Sequence, residues 1–206
     1  MFIPKSFQIS ELSTQQQFIH EYGFGVVISQ SLTGTHLPFV LKVDEGKYGV
    51  LYSHCAKANP HWKELDQQEV LIIFTGPHTY ISPSWYAKGP GVPTWNYTAV
   101  HAYGKVTLLD KGETLQSVED VVEQYEPALL KDKTLLTDEY RDKLLNGIVG
   151  FKIELTKLEG QLKLGQQRSQ SDQQGVYNAL KKSKNLDDQS LANYMQKTKI
   201  GTGESE

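Results

Sequence analysis

Residues 76–97, "GPHTYISPSWYAKGPGVPTWNY", are rich in both aromatic residues and proline. The stretch holds two of the three Trp, three of the eleven Tyr and four of the eight Pro in the 206-residue chain. Sequences with strand character lie on either side, "EVLIIFTG" at 69–76 and "NYTAVHAYGKVTLL" at 96–109. Because a surface loop rarely exposes this much aromatic area, we expect the rings to pack against a flat ligand or a second chain.

The rest of the chain alternates strand patterns with short helix patterns. A closed or partly closed, mostly antiparallel barrel of six or seven strands with helices at its ends follows from this order. Strict βαβ alternation is absent, which disfavours a doubly wound sheet. Further strand patterns are at 24–31, 36–43, 47–54 and 150–160, and helix patterns are at 13–23, 59–65, 113–126 and 137–147.

The helix patterns also predict caps and buried faces. We expect Ser13 to cap the first helix with Gln16 as its capping-box partner. The third pattern, 113–126, has apolar residues at helical spacing, which predicts that Leu115, Val118, Val121, Val122 and Tyr125 form its inward face. In the fourth pattern we expect Leu144 and Leu145 to point inward.

The composition changes after residue 160, where the chain becomes rich in Gln and poor in apolar residues. Such a segment is typical of a linker or an arm, so we predict a domain at 1–160 and a C-terminal arm at 161–206. Two short helices are expected within the arm, at 176–182 and 188–197. The tail "GTGESE" at 201–206 should be loose.

Composition and charge narrow the classes of partner. The net charge is −3 and the longest basic block is "KKSK" at 181–184, which disfavours a DNA-binding surface. The sequence has no apolar run of membrane-spanning length and no pattern of a secretory signal at its start. The single cysteine, Cys55, suits a reducing compartment. We therefore predict a cytoplasmic protein with no contact to a membrane.

Common catalytic and metal motifs are absent from the sequence. It contains neither G-x-x-x-x-G-K-[ST] nor G-x-G-x-x-G nor G-x-S-x-G, so a P-loop, a Rossmann site and an α/β-hydrolase are disfavoured. The six histidines form no H-x-x-x-H pair, and one cysteine cannot build a typical zinc site. We predict no metal and identify no catalytic residue.

Two constellations are candidate ligand sites, the first for a phosphate and the second for the polar rim of a heterocycle. In "SHCAKANPHW" at 53–62, Asn59 begins a short helix whose free N–H groups attract anions, and Ser53, His54 and Lys57 add donors and a charge. An ordinary capped helix explains the same pattern. In "SLTGTHLPFVL" at 31–41, polar groups stand at the mouth of a strand, where Pro38 indicates an edge or a bulge. A plain hairpin edge is the alternative.

Several of these segments together resemble a known family. "HLPFVL", "SHCAKANPHW", "FTGPHTYISPSWY", "VPTWNYTAVHAYG" and "GQLKLGQQR" occur in the order and spacing of the PaiB-like FMN-binding proteins, described as FMN-binding negative transcriptional regulators. The resemblance runs from "FIPKSF" to about Arg168. It implies the FMN-binding split barrel, a six-stranded antiparallel Greek-key barrel related to pyridoxamine-phosphate oxidase and the flavin reductases. It also implies a homodimer with FMN at the subunit interface.

The resemblance also implies the cofactor-binding residues. One strand would line the flavin ring, with Lys42 as a phosphate contact, the next strand and turn would hold the phosphate, and "PTWNY" would reach the flavin from the other subunit. The family usually has Arg where Lys57 stands, and its Lys-Leu-Ser-Gln-Asn-Arg pattern departs here at Gly165 and Gln167. The candidates are His36, Leu37, Pro38, Phe39, Val40, Lys42, Ser53, His54, Lys57, Asn59, Thr94, Trp95, Asn96, Lys163, Gln166 and Arg168.

Two classes of function remain open at this point. The first is a flavoprotein regulator acting through flavin state, a protein partner or DNA, although no helix-turn-helix pattern supports direct DNA binding. The second is an FMN-dependent oxidoreductase or flavin reductase using a nicotinamide or another small-molecule donor. A flavin-binding protein without either role is the third reading.

Overall fold

The computed structural model describes residues 1–131, 134, 135 and 137–204. Helices lie between the strands of the described residues and at the C-terminal end, as the sequence predicts. The strands are β1 (Gln8–Ile9), β2 (Phe24–Ile28), β3 (Gly34–Pro38), β4 (Val40–Lys42), β5 (Val50–Ala56), β6 (Glu69–Ile81), β7 (Thr94–Leu108) and β8 (Ile148–Lys163). The helices are α1 (Leu12–Glu21), α2 (Trp62–Leu65), α3 (Lys111–Tyr125), α4 (Asp138–Leu145), α5 (Gln170–Lys182) and α6 (Leu186–Thr198).

The strands form one sheet in the order β3-β2-β6-β7-β8-β5-β4, with β1 added to β8. The pairs β1–β8, β2–β3, β2–β6, β4–β5 and β5–β8 are antiparallel. The mainly β, split-barrel class is therefore the one predicted, with eight strands in the described chain instead of six or seven. One extra strand arises because the 36–43 pattern breaks at Phe39, directly after Pro38, which has no N–H to donate. Pro38 lies on an edge strand, as expected.

Two compact units divide the chain. The inner unit is Glu11–Phe74 with Val100–Leu158, and the terminal unit is Met1–Ser10, Thr75–Ala99 and the chain from Glu159 onward. The strands β6, β7 and β8 each contribute residues to both units. The predicted division at residue 160 remains a prediction about domains.

The core of the inner unit is built from alternating strand residues. Phe151, Ile153 and Leu155 of β8 are buried, which confirms the half-buried strand pattern. Phe39 packs edge-on against Phe74 with ring centroids 5.6 Å apart. Burying each such side chain contributes about 1.5–3 kcal/mol, so this layer supplies much of the unit's stability.

In the terminal unit, α5 and α6 bury an apolar face. Leu191, Tyr194 and Met195 of α6 are buried, as predicted. The prediction of a loose tail is wrong for its first residues, because Thr202 is only 3% exposed. Gly201 and Gly203 have φ of +76° and +78°, backbone conformations that glycine adopts readily, and they turn the chain back onto the unit. Residues 205 and 206 lie outside the described chain.

The Gln-rich segment after residue 160 is regular structure over most of its length. The strand β8 continues to Lys163, and α5 begins at Gln170 under a Ser169 cap. Leu162 and Leu164 are buried. The linker reading of 161–175 is therefore wrong, because these two leucines anchor the segment in the core.

The predicted helix caps and faces need correction. The N-cap of α1 is Glu11, so the Ser13–Gln16 capping box is wrong. A capping box does occur in α3, between Asp110 and Glu113. The fully buried positions of α3 are Thr114 and Ser117, not its apolar residues.

Two large apolar side chains expected to point inward are exposed. Tyr125 of α3 is 59% exposed, and Leu144 of α4 is 49% exposed, whereas Leu145 is buried as predicted. The other predicted apolar residues of α3, Leu115, Val118, Val121 and Val122, are half-buried. Helical spacing identifies an apolar face, but it does not say how completely that face is covered.

Candidate flavin site

One cleft in the terminal unit brings together four of the predicted residues. Thr94 and Asn96 enter it from the start of β7, and Lys163 and Arg168 from the end of β8 and the loop that follows. The cleft encloses about 90 Å³. Its remaining lining is Ile81, Tyr86, Val92, Leu164, Gly165, Gln167, Asp172, Gln173 and Val176.

The Lys163 ammonium is held by two neutral oxygens. It donates to Oγ1 of Thr94 and to the backbone oxygen of Trp95, each at 2.7 Å. Burial lowers the pKa of Lys163 from its ordinary value. Among the described residues, the hydrogen-bond acceptors of this half-buried cation are both neutral, so it would gain from an anionic or strongly polar ligand.

Arg168 also lines the cleft. Its guanidinium lies over the Tyr86 ring, 4.4 Å from the centroid, a cation–π contact. Asp172 of α5 accepts from the backbone N–H groups of Ala87 and Lys88, at 2.9 and 3.4 Å, and so fixes the loop beyond Tyr86. The "SPSWY" segment thus packs against α5.

The loop between β8 and α5 contains Gly165 and Gln167, the two positions at which this sequence departs from the family pattern. Gly165 has φ of +81°, a left-handed conformation that a serine would adopt only with strain. Gln166 holds the loop: its Nε2 donates to the carbonyls of Ser6 (3.0 Å) and Leu162 (2.6 Å), while its Oε1 accepts from Leu164 N–H (2.8 Å). Gln166 does not line the cleft, whereas Gln167 does.

Exposed rings stand near these residues in the sequence. Trp95 is 53% exposed and Tyr80 45% exposed. The Trp95 ring is tilted against the His78 ring, with centroids 6.1 Å apart. Trp95 contributes its carbonyl to Lys163 but does not line the cleft.

The predicted residues in and beside β3 and β4, in the inner unit, differ in their exposure to solvent. Leu37, Phe39 and Val40 are buried in the core. His36 is exposed and stacks on Phe24 at the sheet edge, with centroids 6.2 Å apart. Ser53 is fully buried and donates to the Pro38 carbonyl at 2.7 Å.

The prediction that Asn59 caps the helix after the phosphate turn is wrong, because the helix begins later, at Trp62. The helix α2 has four residues, and its N-cap, His61, makes no side-chain cap bond. Asn59 instead closes the turn, because its Oδ1 accepts from His61 N–H at 3.0 Å and its Nδ2 donates to Thr35 Oγ1 at 3.3 Å. Thr35 Oγ1 is also hydrogen-bonded to His61 Nδ1, at 2.7 Å.

Two histidine nitrogens in the inner unit are buried without a hydrogen-bond partner among the described residues, His54 Nδ1 and His61 Nε2. Burial lowers the pKa of both imidazoles. Buried polar atoms are nearly always paired, with protein groups or with ordered water.

Lys57 and Lys42 lie in separate surroundings within the inner unit. Lys57 shares a cleft of about 230 Å³ with Lys111 and Asn146, two residues that sequence reasoning missed. Lys42 forms an ion pair with Asp120, Nζ to carboxylate 3.0 Å. The one feature of the sequence that could have pointed to Lys111 is its position at the start of α3, directly after the capping residue Asp110.

Comparison with known proteins identifies the family. Residues 1–157 match the family described as "Putative FMN-binding domain". The chain belongs to this FMN-binding family. Its cofactor is FMN, and the resemblance predicted from the motifs is confirmed. The chain is also 36% identical over 204 residues to Protease synthase and sporulation protein PAI 2 of Bacillus subtilis, covering 95% of this chain and 97% of that protein.

Solved structures agree on the fold of this FMN-binding protein. The flavocytochrome Anf3 from Azotobacter vinelandii aligns with a TM-score of 0.58 at 12% identity, over 78% of this chain and 72% of that one. The FAD and heme binding protein from Mycobacterium smegmatis aligns with a TM-score of 0.55 at 10% identity, over 76% and 73%. At these identities the likeness shows the fold alone.

The residues of the terminal cleft fit part of an FMN molecule. FMN presents a phosphate and a polar pyrimidine edge. The cleft offers two cations against one carboxylate, Asp172, together with the Thr94 hydroxyl and the Asn96 amide. Its volume is well below the roughly 300 Å³ at which small-molecule pockets begin. The cleft therefore fits one end of FMN and needs further walls for the rest.

The described residues include no helix with both the length and the hydropathy of a membrane span. Among the same residues, no group of three or more His, Cys, Asp or Glu side chains is placed to hold a metal ion.

Proposed function

We propose that this protein binds FMN at an interface between two copies of the chain and acts in the cytoplasm as a flavin-dependent regulator. The observation that carries the proposal is the terminal cleft, in which Thr94, Asn96, Lys163 and Arg168 meet although they are separated by up to 74 positions in the sequence. Such convergence of predicted contacts is expected of a binding site.

The small volume of the cleft supports a site shared by two chains. One copy would supply Thr94, Trp95, Lys163 and Arg168. The other copy would supply Lys57 and the polar groups at the start of β3. The exposed rings of Trp95 and Tyr80 provide apolar surface of the kind that subunit interfaces bury. Within the site, Lys163 and Arg168 favour negative charge, and Asn96 orients a polar edge.

FMN supplies a ring that accepts and returns electrons. The surrounding protein charge sets how readily it does so, and the excess of two cations over the Asp172 carboxylate favours the form of the ring with more negative charge. A flavin held in this way can report the redox state of the cell to a partner.

The regulatory role rests on the similarity to the Bacillus subtilis protein, whose name associates it with protease synthase and sporulation. A net charge of −3 disfavours direct binding to DNA, so the proposed partner is a protein. The competing function is an FMN-dependent oxidoreductase.

A subunit-mixing experiment tests the shared site. Lys57→Ala and Lys163→Met each impair one half of it, so both homodimers should bind FMN weakly. A heterodimer purified through two different tags should bind one FMN with wild-type affinity, because one of its two sites then contains neither substitution. Two weak sites in the heterodimer would show that each FMN lies within a single chain. A monomeric protein would also overturn the proposal.

The role is tested by mixing the FMN-loaded protein with NADH or NADPH. A regulator should show at most slow, single-turnover bleaching of the flavin absorbance. Steady nicotinamide oxidation with turnover would favour the oxidoreductase instead. A gel-shift assay at stated salt should show only weak DNA binding that is indifferent to sequence.

A further inference from the structure

A second cleft, in the inner unit, lies between the β4–β5 hairpin and α3. We call it the acidic cleft. It encloses about 370 Å³, within the range of small-molecule pockets, which begins at about 300 Å³. The residues used below are Lys42, Glu45, Tyr52, Glu113, Ser117 and Asp120.

The acidic cleft carries more negative than positive charge. Its one lysine, Lys42, is already paired with Asp120 at 3.0 Å. Glu45 accepts from the Tyr52 hydroxyl at 2.7 Å, and Glu113 accepts from the Asp110 backbone N–H at 3.0 Å. Both donors are neutral, so the charges of Glu45 and Glu113 are not compensated by them.

The Tyr52 phenol lies in the same acidic cleft, and its pKa is raised. Burial raises the pKa of its phenol, and the hydrogen bond to Glu45 and the charges of Glu45, Glu113 and Asp120 raise it further. The phenol therefore remains a neutral donor, and it orients the Glu45 carboxylate without neutralising it.

Ser117 supplies an independent sign of a missing ligand. The residue is 1% exposed and lines the acidic cleft, and its Oγ is buried without a hydrogen-bond partner among the described residues. A buried hydroxyl is nearly always paired in a native protein. A ligand with an N–H group in the cleft would provide the partner.

We propose that the acidic cleft binds a small organic ammonium cation that carries N–H donors. Glu45 and Glu113 supply the opposite charge, and Ser117 Oγ accepts one N–H. The described residues offer no cluster of three or more His, Cys, Asp or Glu placed for a metal, which favours an organic cation. The same charge repels a phosphate, so Lys42 serves this cleft and does not contact FMN.

Calorimetric titration of the FMN-loaded protein with n-butylammonium chloride tests the proposal. We expect saturable binding of one cation per chain. Tetramethylammonium, which has charge but no N–H, should bind about 10-fold more weakly. Absence of saturable heat above a sodium chloride control would overturn the site, and equal binding of the two cations would overturn the role of Ser117.

Variants locate the binding. Glu45→Gln and Ser117→Ala should each weaken n-butylammonium binding about 10-fold. The matched control Glu69→Gln removes an exposed carboxylate at the start of β6, outside the cleft, and should leave the affinity unchanged. Thermal melting verifies that each variant is folded. Equal weakening by all three variants would show a general charge effect and overturn the assigned site.

Discussion

The Lys163 ammonium donates to Thr94 Oγ1 at 2.7 Å, which joins the end of β8 to the beginning of β7. The two residues are 69 positions apart in the sequence. The contact places a half-buried cation beside the segment "PTWNY", which family resemblance had already singled out. It is therefore the natural starting point for testing the flavin site.

Replacing Lys163 with Met should weaken FMN binding. The substitution keeps much of the side chain's length and removes its charge, and a lost charge-assisted bond costs about 1.5–3 kcal/mol, or roughly 10- to 100-fold in affinity. Flavin fluorescence titration measures the change. The control Lys184→Met removes an exposed lysine before α6 and should bind FMN normally. Unchanged affinity in Lys163→Met would place FMN elsewhere.

Replacing Gly165 with Ala or Ser should destabilise the fold. The backbone there has φ of +81°, and a non-glycine residue in this conformation costs about 1–2 kcal/mol. A Cβ would meet Asn96 Nδ2 only at 3.7 Å, an ordinary contact, so backbone strain accounts for the cost. Urea denaturation measures it, and Gly34→Ala, at a position without positive φ, is the control.

The same pair of variants tests whether the family's serine at position 165 touches the cofactor. If it does, Gly165→Ser should bind FMN more tightly than Gly165→Ala, although the two are equally strained. Equal FMN affinities would show that a serine hydroxyl at this position makes no contact with FMN.

Replacing Gln166 with Ala should reduce stability. Its amide makes three bonds to backbone groups of the N-terminal segment and the β8 end, and leaving such groups unpaired costs about 1–3 kcal/mol. Chemical denaturation without FMN measures the loss. The neighbouring Gln167→Ala, at an exposed position, should be as stable as the wild type. A large loss of FMN affinity at unchanged stability would instead make Gln166 a direct contact.

Acidification should destabilise the protein through His54 and His61. Burial lowers their pKa in the folded state below the ordinary value of 6.5, so the unfolded chain binds protons first as the pH falls. Their contribution to stability is complete above pH 6.5 and is lost as the pH falls towards the folded-state pKa.

Urea unfolding at pH 7.5 and pH 5 measures this loss. Because carboxylates also contribute at low pH, the informative quantity is the difference between variants. The double variant His54→Gln, His61→Gln should lose less free energy of unfolding between the two pH values than the wild type. His20→Gln, at an exposed position in α1, is the control and should behave as the wild type does. If the double variant lost as much free energy of unfolding between pH 7.5 and pH 5 as the wild type does, the assignment of this loss to His54 and His61 would be contradicted.

Sequence reasoning succeeded where the signal was local. The alternation of Phe151, Ile153 and Leu155 predicted a half-buried strand, because strand side chains alternate between faces regardless of distant residues. The helical spacing of Leu191, Tyr194 and Met195 was equally sufficient for α6. The errors concern coverage, as in the exposed Leu144, where a face is defined locally but its neighbours are not.

The candidate site shows the same division. Motif resemblance selected Lys163, Arg168, Thr94 and Asn96, and the structure brings all four to one cleft. Motif resemblance could not distinguish these four residues from Gln166, which lies in the same motif as Lys163 and Arg168 but binds backbone groups. Lys57 was found from its motif, whereas Lys111 and Asn146 were missed because they reach the same cleft from distant segments.

The sequence by itself determined the mainly β class, the family and its cofactor, because strand periodicity and motif order are properties of neighbouring residues. The tertiary structure decided which polar atoms are already satisfied and which are not. Gln166 is fully engaged by backbone groups, while Ser117 Oγ and His61 Nε2 are buried without described partners. Hydrogen bonds and charge balance depend on distances between residues far apart in the chain, and only folding sets those distances.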